Sequence, residues 1–423
     1  MDSMKRVFER LAAITAILSV ILMPGKIQAQ SGVLSPYSRY GIGLLSDQST
    51  GITQAMGGVG AGFREENTLN LKNPASYSAV DTLTFVADLG LSLQNANFAE
   101  NGVKLNARNA FVDHMAMQFR IRPRIGMTVG FTPFSNVGYQ FSNTQVVRRD
   151  EDGEIKATNT YSGSGGVRQF VVGLGWRPTD WLSVGANGSY LSGDITHQIY
   201  NSYSSSDVQS RVKTYDAEMG AFKVDFGAQG TIRMGNDNRL VLGVTYSPAQ
   251  KLESEVLVTD IHSSSDTITL KDAFKLPEQI SAGFSYKWKN MTLAADMSYQ
   301  NWSKALFFGE EGGSDRMQAA MGFMIRPDES SRNILMHSAY QVGVHFAQPY
   351  IKVGNSKGPM EYGVSAGFSV PVTNAYNSMS YLHVSAQYTR IQPQVKGMIT
   401  ENYLGINIGV TFLERWFMKL MVE

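Results

Sequence analysis

Three constellations in this 423-residue chain have residue types that could do chemistry. Gly363-Val364-Ser365-Ala366-Gly367 fits G-x-S-x-G, in which a sharp strand-to-helix turn thrusts a serine nucleophile clear of the backbone. Here it lies inside an alternation in which Tyr362, Val364, Ala366 and Phe368 stand against small residues, and no helical pattern follows. The strained elbow is absent, and Ser365 reads as a small side chain on one strand face. Asp88, Lys223, Asp225 and Asp296 could form a set for acid–base work, but each sits on the polar face of an alternating segment, where paired or hydrated charges are the commoner case. The six histidines (His114, His197, His262, His337, His345, His383) contain no H-E-x-x-H and no close pair. Only His337 and His345 could share a face, which is too little for a metal centre. A dinucleotide fingerprint starting at Gly58 fails, because Phe63 falls where its third glycine belongs. The chain is thus read as a non-enzyme, with no catalytic residue, metal or cofactor assigned.

The elements that carry these residues obey one rule. From Leu276 to Trp302, Ile280, Ala282, Phe284 and Tyr286 alternate with Ser281, Gly283, Ser285 and Lys287. After Lys289-Asn290 the alternation resumes with Met291, Leu293, Ala295, Met297 and Tyr299. Side chains on a strand point to opposite faces in turn, so this is a hairpin with one greasy and one wet face. Roughly fourteen such segments follow Thr82, an even number as bacterial barrels require. Charges at mid-strand on the polar face suit a water-wetted lumen, and the apolar set suits lipid. Short turns such as Arg122-Pro123-Arg124 and Trp288-Lys289-Asn290 alternate with longer connections, as in outer-membrane barrels. Trp176, Trp181, Trp288 and Trp416 lie near the short-turn side, where they would form an interfacial girdle. Gln140 to Asn159 is poorly patterned and reads as either strand or loop.

Residues 1–29 carry Lys5 and Arg6, an apolar run from Leu11 to Met23 and a small Ala29, the pattern of a secretory signal peptide. No cysteine is present, which excludes disulfides, thiolate metal sites and lipid attached to cysteine. A net charge of +1 argues against a nucleic-acid surface. Residues 30–81 are irregular and glycine-rich, which suits a compact hatch or plug with little regular structure. Residues 82–413 then form the transmembrane antiparallel β-barrel, and 414–423 a short C-terminal tail.

Asn73-Pro74-Ala75, in a glycine-rich segment just before the first strand, and the Leu-Pro-Glu hairpin (Leu276 to Glu278) that ends in Tyr299-Gln300-Asn301-Trp302-Ser303 resemble the long-chain fatty acid transporter (FadL-like) family. The resemblance spans about Gly51 to Phe412. It implies a fourteen-stranded barrel whose lumen is filled by an N-terminal hatch, with Asn73, Pro74 and Ala75 as the hatch motif. It also implies a kinked third strand that opens a lateral exit, falling at Pro133, Phe134, Ser135, Asn136 and Gly138. The residues support a break there independently, since proline donates no ladder hydrogen bond and marks a bulge, bend or edge. An ordinary bulge without a passage is the plainer alternative. Two departures from the family are the tail beyond Leu413 and the polar, serine-rich loops Val147 to Tyr161 and Asn201 to Tyr215.

The expected function is passive uptake of a hydrophobic small molecule, fatty-acid-like, across the outer membrane of a Gram-negative bacterium, with hatch gating and sideways release into outer-membrane lipid. The competing expectation is a plugged accessory barrel that works beside other outer-membrane proteins. Stoichiometric partners would favour the second, and ligand flux the first.

Overall fold

The computed structural model describes residues 35–81, 84–100, 102–150, 153–205, 208–235, 238–261, 265–328, 331, 333–354, 356–373, 379–395 and 398–415. The signal peptide and the tail beyond Arg415, with Trp416, lie outside the described residues.

Fourteen antiparallel strands form a closed wall. They are β1 Thr84–Glu100, β2 Val103–Arg122, β3 Ile125–Asp150, β4 Gly153–Trp176, β5 Leu182–Tyr203, β6 Arg211–Met234, β7 Asn238–Ser247, β8 Gln279–Trp288, β9 Met291–Gln300, β10 Arg316–Ile325, β11 Ala339–Ala347, β12 Met360–Thr373, β13 Met379–Gln392 and β14 Thr400–Arg415. Each pairs with the next, and β1 closes on β14 from Thr84↔Arg415 to Ala99↔Thr400. The last strand therefore includes Glu414 and Arg415, two residues past the expected boundary, because β1 offers them ladder partners. The ambiguous stretch from Gln140 is strand: β3 and β4 pair along their whole length up to Asp150↔Gly153. Its polar sequence reflects height above the apolar belt, where both faces are wet.

The alternation decides which face sees what. Leu242 and Val244 are about half exposed, at 50% and 48%, while Val241, next to Leu242 on the opposite face, is fully buried. The outward set repeats around the wall in Phe131, Phe170, Phe226, Ile280, Met297, Met321, Val342, Val364, Ile406 and Phe412, all exposed. The inward set is small or polar and buried, as at Gln118, Asn187, Gln229, Ser285, Gln341, Ser369 and Asn407. Such an exposed apolar band on a polar-cored barrel is what a lipid environment selects. Trp176, Trp181 and Trp288 project at the short-turn end, each about half exposed or more.

The inward set is buried because residues 35–81 lie against it. This segment contains a 3-10 helix Pro36–Arg39, a short helix Gly51–Ala55 and a 3-10 helix Pro74–Ala79. Met56, Val59, Phe63, Leu69 and Tyr77 are completely or almost completely buried. Toward the long-loop end a second apolar core forms, in which Tyr37 and Ile42 meet Leu191 and Ile195 of β5. Phe274, Trp302 and Tyr350, from three different connections, complete it, with the Trp302 and Tyr350 rings 4.4 Å apart.

Candidate functional site: the filled lumen and the break in its wall

The wall is discontinuous in one place. β2 and β3 pair from Arg122↔Ile125 only as far as Met115↔Phe131, although both strands continue well beyond. Two local irregularities flank the point where they part. In β2 the register against β1 skips Asp113, and in β3 the register against β4 skips Phe134. The sequence cause in β3 is Pro133, which removes a ladder donor and leaves its neighbour to bulge.

The freed edge of β3 is taken up from inside. Leu44 and Leu45 pair antiparallel with Asn136 and Ser135. Ser46 N–H donates to the Phe134 carbonyl at 3.0 Å, and Ser35 N–H to the Gly138 carbonyl at 3.1 Å. Gly138 N–H donates to Ser38 Oγ at 3.1 Å. Ser35 Oγ also donates to Glu401 on β14, at 2.7 Å. All five residues expected at the kink thus lie where β2 and β3 separate: Phe134 forms the bulge, Pro133 and Asn136 line a cavity of about 310 Å3 behind it, and Ser135, Asn136 and Gly138 hold the N-terminal segment. Phe111 and Asp113 of β2 line the same cavity.

Asn73-Pro74-Ala75 forms a hub further down. Asn73 caps the Pro74–Ala79 helix by accepting from Ala75 N–H at 3.0 Å, and its amide donates to the Ala61 carbonyl at 2.7 Å. Pro74 occupies the first helical position, where its missing N–H costs nothing. The Ala75 carbonyl accepts from Arg64 at 2.7 Å, and Arg64 also reaches Ser78 and Gln229. Burial, with Arg177 and Arg239 nearby, lowers the Arg64 pKa to about 10, so it stays charged at neutral pH.

The remaining segment is tied to the wall on several sides. Asp296 of β9 accepts the N–H groups of Gly60 and Ala61, the latter at 2.7 Å. Ser285 of β8 donates to the Gly62 carbonyl at 2.8 Å. Ser365 of β12 accepts Gly57 N–H at 3.0 Å and donates to the Ala55 carbonyl at 2.8 Å, so the serine of the G-x-S-x-G stretch spends both hydrogen-bonding roles on the segment. Several wall glycines let the backbones approach this closely. A Cβ on Gly175 would sit 2.7 Å from the Pro74 carbonyl oxygen, and one on Gly322 2.5 Å from that of Met56. In the sequence these glycines alternate with the outward Trp176 and Met321, but nothing local marks them as contact points.

The other titratable candidates are also engaged. Asp88 contacts His114 and Thr411, at 2.6 Å each. Asp225 holds Lys223 and Ser247. His345 faces Glu361 at 3.3 Å, while His337 ends a short helix, Ile334–His337, in the β10–β11 connection. A second cavity, of about 210 Å3, is lined by Asp47, Lys72, Asp225, Asp296, Arg316 and His345 among others. Asp47 and Lys72 form an ion pair within the segment. Burial pushes the Asp47 carboxyl up, but the Lys72 charge outweighs it and holds the pKa below the usual value. This second cavity is therefore charged, and the one behind Pro133 and Asn136 is the less polar of the two.

Solved structures share this architecture. The Pseudomonas putida toluene transporter TodX aligns at 13% identity, covering 88% of this chain and 100% of that one, with a TM-score of 0.57. A Pseudomonas aeruginosa FadL homologue aligns at 12%, covering 89% and 100%, with a TM-score of 0.58. The monoaromatic hydrocarbon channel CymD aligns at 16%, covering 87% and 98%, with a TM-score of 0.55. At these identities the likeness is one of fold. No curated protein matches the chain. The BamG family model matches residues 11–422, almost the entire length, and the chain accordingly belongs to the BamG family.

Proposed function

We propose that this chain is a plugged outer-membrane barrel that serves as an accessory subunit beside other outer-membrane proteins. The observation that carries the reading is the suture at the wall break. The edge of β3 that a lateral exit would use is occupied by Leu44, Leu45 and Ser46 of the chain's own N-terminal segment. In hydrocarbon, exposed backbone groups must find internal partners, and here they do so in a way that closes the passage on that side. Anchors on β3, β8, β9, β12 and β14 hold the same segment. Membership of the BamG family is consistent with work inside an assembly.

A second reading has its own support. The loss of β2–β3 pairing above Met115, the cavity behind it and the fold shared with toluene and hydrocarbon channels favour passive uptake of a hydrophobic small molecule, released sideways at Pro133 to Gly138. On that reading residues 35–46 are a gate, and a ligand must displace the pairing of Leu44 and Leu45.

Vesicles carrying the purified chain separate the two. The accessory reading expects no toluene or labelled fatty acid flux through the wild type, flux after deletion of residues 35–46, and partners in fixed ratio when the native membrane is solubilised mildly. Flux through the wild type at the level of the deletion variant overturns it in favour of the conduit.

A further inference from the structure

At the short-turn end three cations lie side by side across the wall. Arg233 of β6 is directly opposite Arg239 of β7, and Arg239 is directly opposite Lys287 of β8. The adjacent row, Ile232, Leu240 and Tyr286, takes the other face, with Ile232 half exposed on the outside. The cationic row therefore points into the mouth of the lumen. Like charges directly opposite each other across a sheet are destabilising, so such a row calls for a counter-charge.

The chain supplies only part of it. Glu65 approaches Arg239 at 3.4 Å and Arg326 at 3.6 Å. Burial raises the Glu65 pKa, but Arg326, Lys287 and Arg239 outweigh it and hold the carboxyl ionised below its usual range. Arg233, Lys287 and Lys289 have no salt bridge among the described residues. Together with Arg239 and Arg326 they line a cavity of about 570 Å3, to which Asp328 contributes a single carboxylate.

We propose that this cavity is a docking site for an acidic peptide segment of a partner protein, which lays successive carboxylates along the row. Neighbouring strands are about 4.8 Å apart, so the row spans roughly 10 Å and matches several carboxylates better than one compact anion. Because the side chains face the lumen mouth rather than the surrounding lipid, headgroups in the bilayer plane are poorly placed to reach them. This mouth is periplasmic if the proposed outer-membrane placement is right, but the charge site stands on the geometry alone.

The test uses the purified full-length chain in neutral detergent and a fluorescent peptide of about eight glutamates, read by anisotropy at several salt concentrations. The triple variant Arg233→Glu, Lys287→Glu, Lys289→Glu is expected to weaken binding by at least roughly tenfold, and the control Lys104→Glu at the opposite end by less than about twofold. Glu65→Gln removes the competing carboxylate and is expected to tighten binding, a gain that misfolding would not produce. No saturable binding, equal affinity in the triple variant, or displacement of the peptide by equimolar inorganic phosphate overturns the proposal. So does uptake of the chain's charge site by anionic-lipid nanodiscs in preference to the peptide.

Discussion

Gly62→Ala measures how tightly the N-terminal segment is seated. A Cβ built there would lie 2.5, 2.6 and 2.7 Å from Cα, C and N of Phe284 on β8, all backbone atoms that no rotamer change can move. Carbon atoms pack best at about 3.5 Å or more, so the segment must retreat by about 1 Å. Overpacking of this kind costs about 1–3 kcal/mol. A retreat of that size also stretches two hydrogen bonds that now measure 2.7 and 2.8 Å, Ala61 N–H to Asp296 and Ser285 to the Gly62 carbonyl. Losing each is worth about 1 kcal/mol or more, the first being charge-assisted. The total is about 3–5 kcal/mol, or roughly a hundredfold to several thousandfold in the displaced fraction. The assay is trypsin cleavage at the buried Arg64, whose rate follows the open population when reclosing is fast. Gly230→Ala is the control, since a Cβ there meets nothing within 4 Å. If Gly62→Ala is cleaved no faster than Gly230→Ala, the close packing of segment and wall is refuted.

Two further outcomes are expected. Leu242→Arg places a charge at the middle of the ten-residue β7, on the outward face where Leu242 is half exposed. It should cost about 2–4 kcal/mol by denaturant titration in lipid vesicles, and an effect near zero would argue that this face does not meet hydrocarbon. The depressed Glu65 pKa makes its contribution complete above the ordinary glutamate value of 4.5 and progressively lost as pH falls through the lower folded value. Protection of Arg64 from trypsin-like cleavage by an acid-tolerant protease should therefore weaken as the pH falls below the ordinary glutamate value in the wild type and change less in Glu65→Gln; equal slopes in both would remove Glu65 from the account.

The wall was legible because a period of two is local. Each outward Leu, Val or Phe and each inward Ser, Asn or Gln declares its face within four residues. The break at Pro133 was legible for a similar reason, since a proline announces a missing donor wherever it stands. Four features were not. The basic row needs the register of three strands, and Arg233, Arg239 and Lys287 look unremarkable apart. The wall glycines sit among serines and alanines of the same face, and only the approach of Met56 or Pro74 gives Gly322 and Gly175 their role. The long-loop core draws Trp302, Phe274 and Tyr350 from three separate connections, so its apolar character is diluted in polar sequence. The pairing of Leu44 and Leu45 with β3 is likewise a contact between distant parts of the chain.

The seam between β1 and β14 joins residues more than three hundred positions apart, Thr84 to Arg415. Zipping it shut encloses whatever occupies the interior at that moment, and Ser35 is hydrogen-bonded to Glu401, the second residue of the final strand. Residues 35–81 must accordingly be in position before the final strand can latch. Maturation is then a wrapping process with its slowest step at the end, because contacts of such long sequence separation form late, and a chain that closes too early leaves its own leading segment outside.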